Sequence, residues 1–185
     1  MGIFDFSKKK PVKQMSQFSM LIYNELNYIT SYCINQNIDI NNCDQGVLAV
    51  LSENIGMIYL STTIVYLYHY ELIKEGDKLV KDTELYTKQL CSRKSQYKEA
   101  LQKVYDFVKL FDRNLNPDDE EKTIDNWRIW IEEILSRQNK APSPTARFFH
   151  VGTLYNEGKM TNELLKHITK TRDIIIKAYK EDKKT

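Results

Sequence analysis

Glu163 and His167 stand four residues apart in this 185-residue chain, the spacing that sets two side chains on one face of a helix. A carboxylate and an imidazole so placed could share a proton or begin a metal site. A metal bundle needs more, either Glu-x-x-His pairs on facing helices or a His-Glu-x-x-His run, and the chain has neither. The pair therefore reads as a solvent-exposed contact, and neither metal nor cofactor is expected. His69 shares a helical face with Thr62, Val65 and Leu72, which suits a hydrogen-bonded core histidine. Glu53 is the unusual carboxylate. It sits in a run otherwise free of charge, where burial would raise its pKa unless it reaches water or pairs with Arg93 or Lys94. Phe148, Phe149 and His150 adjoin a proline-rich connection, where a partly exposed aromatic cluster would mark a partner-binding surface if it is not packed beneath the loop.

Nucleophilic catalysis lacks its usual framework, because no Gly-x-Ser-x-Gly turn is present and no serine or cysteine has a base beside it in sequence. The six glycines include no Gly-x-Gly, so no phosphate-cradling loop is indicated. No catalytic residue is assigned, and the chain is not expected to be an enzyme. The strongest acidic run, Asp118 to Glu121, falls at the first turn of a helix, where carboxylates complement the helix dipole. Cys33, Cys43 and Cys91 are odd in number and lack Cys-x-x-Cys spacing, so they read as reduced thiols rather than a disulfide framework or zinc knuckle.

The elements that would position these residues are all helical. Met15, Phe18, Ile22, Leu26, Ile29 and Cys33 recur every three or four residues and predict a first helix ending near 35–37. Asn41, Asn42 and Asp44 offer caps to a second helix running to about Lys74, with Gly76 placed as its C-cap. Between Asp44 and Glu71 its only charge is Glu53, so this helix is expected at the centre of the fold. Its run from Asn54 to Tyr70 carries Asn54, Ser61, Thr62, Thr63 and His69, which suits a buried core helix better than a membrane span. A third helix opens at Asp77 and carries a stripe through Leu79, Tyr86, Leu90, Tyr97, Leu101, Val104, Val108 and Phe111, interrupted midway at Arg93 and Lys94. Asn116-Pro117 reads as cap and first residue of a fourth, with Ile124, Trp127, Ile131 and Ile134 inward and Trp130 widening that face. Ser143-Pro144 opens a short fifth helix ending before Gly158. Thr161 then starts a sixth, with Met160 and Leu165 as a staple and Leu164, Ile168, Ile175 and Tyr179 along its face. No segment alternates with period two. The fold class is all-α: a tail or docking segment at 1–12 and one domain at 13–185, a bundle of five to six helices, with 13–140 as the main bundle and a helical pair at 141–185 packed on it.

Lysines, arginines and acids nearly balance, giving a formal charge of +2, too little for a dominant field toward nucleic acid. A helix-turn-helix with Gly158 at its turn is the specific alternative, since residues 159–185 carry eight basic and four acidic side chains. Leu154 stands where that motif wants a small residue. The N-terminus shows no signal-peptide pattern, which points to the cytoplasm, and Phe6 occupies the position where myristoylation requires Ser or Thr. Ile3, Phe4 and Phe6 followed by Lys8, Lys9, Lys10 and Lys13 would touch an anionic membrane only weakly.

The opening Met1-Gly-Ile-Phe-Asp-Phe-Ser-Lys-Lys-Lys resembles the starts of many small bacterial cytoplasmic proteins, among them immunity proteins of interbacterial toxin systems. The resemblance implies a non-catalytic protein that occludes a cognate toxin domain. A cytoplasmic toxin acting on a nucleotide, cofactor or protein suits the near-neutral charge better than a nuclease does. The alternative function is regulatory nucleic-acid binding through the basic C-terminal helix pair.

Overall fold

Amphipathic stripes bury themselves by packing on one another, and in the computed structural model they do so around one apolar helix. Residues 17–43, 45–69, 87–88, 96–140 and 156–182 are described. Among them every regular element is helical: α1 (Gln17–Asn37), a 3-10 turn (Ile40–Asn42), α2 (Gln45–His69), α3 (Tyr97–Arg113), α4 (Glu120–Lys140) and α5 (Glu157–Asp182). Helix α2 packs against each of the other four, while α5 also lies along α1 and α4. The architecture is the expected all-α bundle with a central second helix.

The composition of α2 explains that position. Every residue from Asn54 to Leu67 is buried, so the helix has no solvent face over that stretch. Two of its hydroxyls find backbone acceptors inside. Ser61 donates to the Val104 carbonyl on α3 (3.2 Å), and Thr62 donates within its own helix toward Ile58 (2.9 Å) and Tyr59 (3.0 Å). The Tyr59 phenol lies beside the hydroxyls of Thr63 and of Thr171 on α5, and burial pushes its pKa up. By length and composition α2 is also the one described helix apolar enough to cross a membrane, with most of that stretch buried inside the bundle.

The flanking helices present the stripes that face it. Leu26, Ile29 and Cys33 of α1, Ala100, Val104 and Phe111 of α3, Trp127, Ile131 and Leu135 of α4, and Leu164, Leu165 and Ile168 of α5 join one core. Ile124, Trp130 and Ile134 pack against it while remaining partly buried.

Two helix starts depart from expectation, each for a local reason. Asn116-Pro117 is not the opening of α4. Proline instead takes the second position of a turn closed by Asp119 N–H to the Asn116 carbonyl (3.3 Å), with the Asn116 side chain accepting from Asp118 N–H (3.2 Å). The capping oxygen belongs to Asp119, which accepts from Lys122 N–H (3.0 Å). Thr123 ties this corner to the helix: its hydroxyl accepts from Asn116 N–H (2.7 Å) and lies in donating range of the Asn116 carbonyl (3.0 Å).

At the other departure, Thr161 does not begin a helix and Gly158 is not a turn. Asn156 accepts from Lys159 N–H (2.8 Å), so the helix starts four residues before Thr161 and runs straight through Gly158. The helix-turn-helix alternative loses the turn on which it was built, and Met160 is a buried core residue inside the helix rather than a staple ahead of it. The expected helix opening at Ser143, the segment from Asp77 to Tyr86, and the Gly76 cap lie outside the described residues.

Candidate functional site

Tyr28 and Tyr32 occupy successive turns of α1, beside its buried stripe, and their rings stack at a centroid distance of 5.7 Å. His167 of α5 meets both edge-on, at 5.6 Å from Tyr28 and 4.9 Å from Tyr32. The imidazole is 9% exposed and Tyr28 is 53% exposed, so the trio grades from core to solvent across the α1–α5 seam. Desolvation lowers the histidine pKa, Lys170 and Lys166 push the same way, and Glu163 and Glu25 oppose them. Just inward, the Cys33 thiol is buried and its pKa is pushed up to about 12, which leaves it an unreactive thiol while the seam is closed.

A second arrangement lies farther along α5. The Arg172 guanidinium sits over the Tyr66 ring (5.3 Å), pairs with Glu120 at the start of α4 and bonds Asp173 (2.7 and 2.9 Å). Burial works against its charge, but the bonds to Glu120 and Asp173 outweigh that and hold its pKa above the ordinary arginine value. Beneath it the aromatic contacts continue: Tyr66 to Trp127 at 4.8 Å, Trp127 to Phe111 at 5.4 Å and Phe111 to Phe107 at 6.3 Å. The Trp127 indole donates to the Phe111 carbonyl (2.9 Å). With both tyrosine contact and carboxylates engaged, this arrangement fastens α2, α4 and α5 together.

Of the residues singled out in sequence, Glu163 and His167 do lie together, but His167 is buried against two tyrosines rather than exposed. A helix face that looks polar in isolation is covered here by α1. Glu53 is half-buried rather than enclosed. Desolvation raises its pKa, Lys103 of α3 lowers it and Glu99 raises it. Arg93 and Lys94, the partners expected for it, lie outside the described residues, as do Phe148, Phe149 and His150. His69 is half-buried at the described end of α2. The acidic run is exposed throughout, with Asp119 as cap and Glu120 bonded to Arg172. No group of three His, Cys, Asp or Glu residues placed to hold a metal occurs among the described residues.

Tyr28, Tyr32 and Arg172 were not singled out by sequence. The signal for the tyrosines was their four-residue spacing one position off the buried stripe, which matches the Glu163–His167 spacing on α5. Arg172 carried no local mark, because what distinguishes it is Tyr66 and Glu120, both remote in the chain. Searches of family models, of curated proteins and of solved structures return no match to the chain.

Proposed function

We propose that the chain is a non-catalytic protein-binding module, in concrete form an immunity protein that neutralises a cognate toxin acting in the cytoplasm. The observation that carries the binding reading is Tyr28, an aromatic ring more than half exposed yet held in place by Tyr32 and His167. An anchor of this kind contributes large contact area while giving up little side-chain freedom, which is why rigid tyrosines recur at the centres of interfaces. The concrete form draws on the resemblance of residues 1–10 to immunity proteins, and the net charge of +2 favours a target other than a basic nuclease.

Co-expression with the C-terminal domain encoded by the neighbouring gene tests it. Rescue of growth, a co-eluting complex on size exclusion, and weakening of that complex by Tyr28→Ala are expected. Failure of both rescue and co-elution would remove the immunity reading. A complex that ignores Tyr28→Ala would move the binding face elsewhere.

A further inference from the structure

We propose that the α1–α5 seam is proton-sensitive: a proton taken up by His167 against the stacked rings of Tyr28 and Tyr32 loosens α1 from α5 while α2, α3 and α4 keep their packing. The geometry supplies the reason. A neutral imidazole is tolerated against two stacked aromatic rings at 4.9 and 5.6 Å, but an imidazolium has two donors and a charge that water would otherwise solvate. At 9% exposure the ring has little contact with water, and solvating its charge calls for a gap between the helices.

The charges facing the ring from both helices do not remove that cost. Glu25 on α1 and Glu163 on α5 favour the proton, Lys166 and Lys170 on α5 oppose it, and desolvation, the largest influence, acts with the lysines to hold the pKa down. The phenols of Tyr28 and Tyr32 also face the ring. This direction gives the sign of the linkage. With the folded pKa below the ordinary 6.5, the seam is at full strength above that value and weakens as pH falls through it toward the folded pKa.

Helix α1 is the side that yields. It packs on α2 and α5, whereas α5 is fastened to α2 and α4 through Arg172, Tyr66 and Glu120. A direct polar link across the seam is a contact of 3.4 Å from Lys159 Nζ to the Gln36 carbonyl. The bundle itself carries this behaviour, and no partner is required for it.

Cys33, fully buried on α1 beside the seam, is the reporter. In a Cys43→Ser, Cys91→Ser variant, its reaction with dithiodipyridine, a reagent that works in acid, is compared between about pH 7.5 and about pH 5.5, the window in which a histidine titrates. After correction for a free thiol, the labelling rate should rise severalfold at the lower pH, with helical circular dichroism and tryptophan emission unchanged. His167→Phe, which keeps a ring against the tyrosines and removes the proton site, should abolish the rise. No rise in the parent, or an equal rise in His167→Phe, overturns the proposal. Should His167→Phe not fold, the histidine Cε1–H resonance identified by its contacts to Tyr28 and Tyr32 decides instead. Titration below 6.5 with loss of those contacts supports the seam opening, and titration at or above 6.5 refutes it.

Discussion

Helix α5 sets a nitrogenous side chain against tyrosine twice, and the two contacts behave differently. At Arg172 the guanidinium covers Tyr66 and carboxylates of Glu120 and Asp173 bond it directly. At His167 the imidazole meets Tyr28 and Tyr32 edge-on, and Glu163 and Glu25 act on it only through space. A buried cation keeps its charge when acceptors reach it, and a buried base without them is held neutral. Two regions of one helix thus differ in what acid does to them although both are built on tyrosine.

The largest way to break this comparison is to remove the support beneath Arg172. Trp127→Ala deletes a fully buried indole and its bond to the Phe111 carbonyl, and should lower stability by about 3–5 kcal/mol in urea unfolding. A loss of less than about 1 kcal/mol would mean that the bundle does not centre on this ladder. Arg172→Met is next, at about 1–3 kcal/mol, below the cost of breaking a fully buried pair because the Glu120 side chain is half exposed. That loss should be the same from about pH 5 to about pH 8, since a guanidinium does not titrate there.

His167→Phe sharpens the contrast, because its stability relative to the parent should improve as pH falls through the histidine range. Glu53 works in the other direction: its folded pKa is raised, so its contribution is complete below the ordinary 4.5 and declines as pH rises through the folded value. Taking the difference between parent and variant removes that background. Parallel pH curves for the two proteins would show that His167 has no part in the acid response.

A smaller effect tests how α5 begins. Gly158→Ala should raise stability by about 0.5–1 kcal/mol, because alanine is the better helix former and its Cβ would meet only Asn156 Oδ1 at 3.5 Å and Glu132 Oε1 at 3.7 Å. A glycine needed for a left-handed turn would respond with a loss. The smallest change is expected from Ile129→Ser on the solvent side of α4, where the side chain is 64% exposed. Its stability should stay within about 0.5 kcal/mol of the parent, apart from both seams.

The stripes of α1 and α2 were legible because an apolar period of 3.6 and a charge-free run are properties of the segment itself. Leu26, Ile29, Cys33 and the stretch from Asn54 to Leu67 could be assigned to the core without knowing their neighbours, and so could Trp127. Helix starts were less legible. Asn116-Pro117 is equally good as a cap or as a β-turn, and the choice rested on Asp119 and Thr123 farther along. Asn156 two residues before Gly158 was the overlooked cap, because glycine read as punctuation drew the boundary to the wrong side. The candidate site was least legible. The environment of His167 is made by Tyr28 and Tyr32, and no reading of α5 by itself predicts which helix will cover it.

The Asn116–Asp119 corner has a further consequence, for the order in which the chain assembles. Its hydroxyl knot at Thr123 spans seven residues, and the Trp127 bond to Phe111 spans sixteen, so the α3–α4 hairpin closes short loops at small entropic cost. The α1–α5 seam, by contrast, brings Lys159 to Gln36 across 123 residues. We expect the hairpin to belong to the folding nucleus and the seam to form after the main barrier. Substitutions at Trp127 should then slow folding, whereas those at Tyr32 or His167 should chiefly hasten unfolding. The part of the bundle that responds to protons would also be the last to form, so acid would retrace the final step of folding.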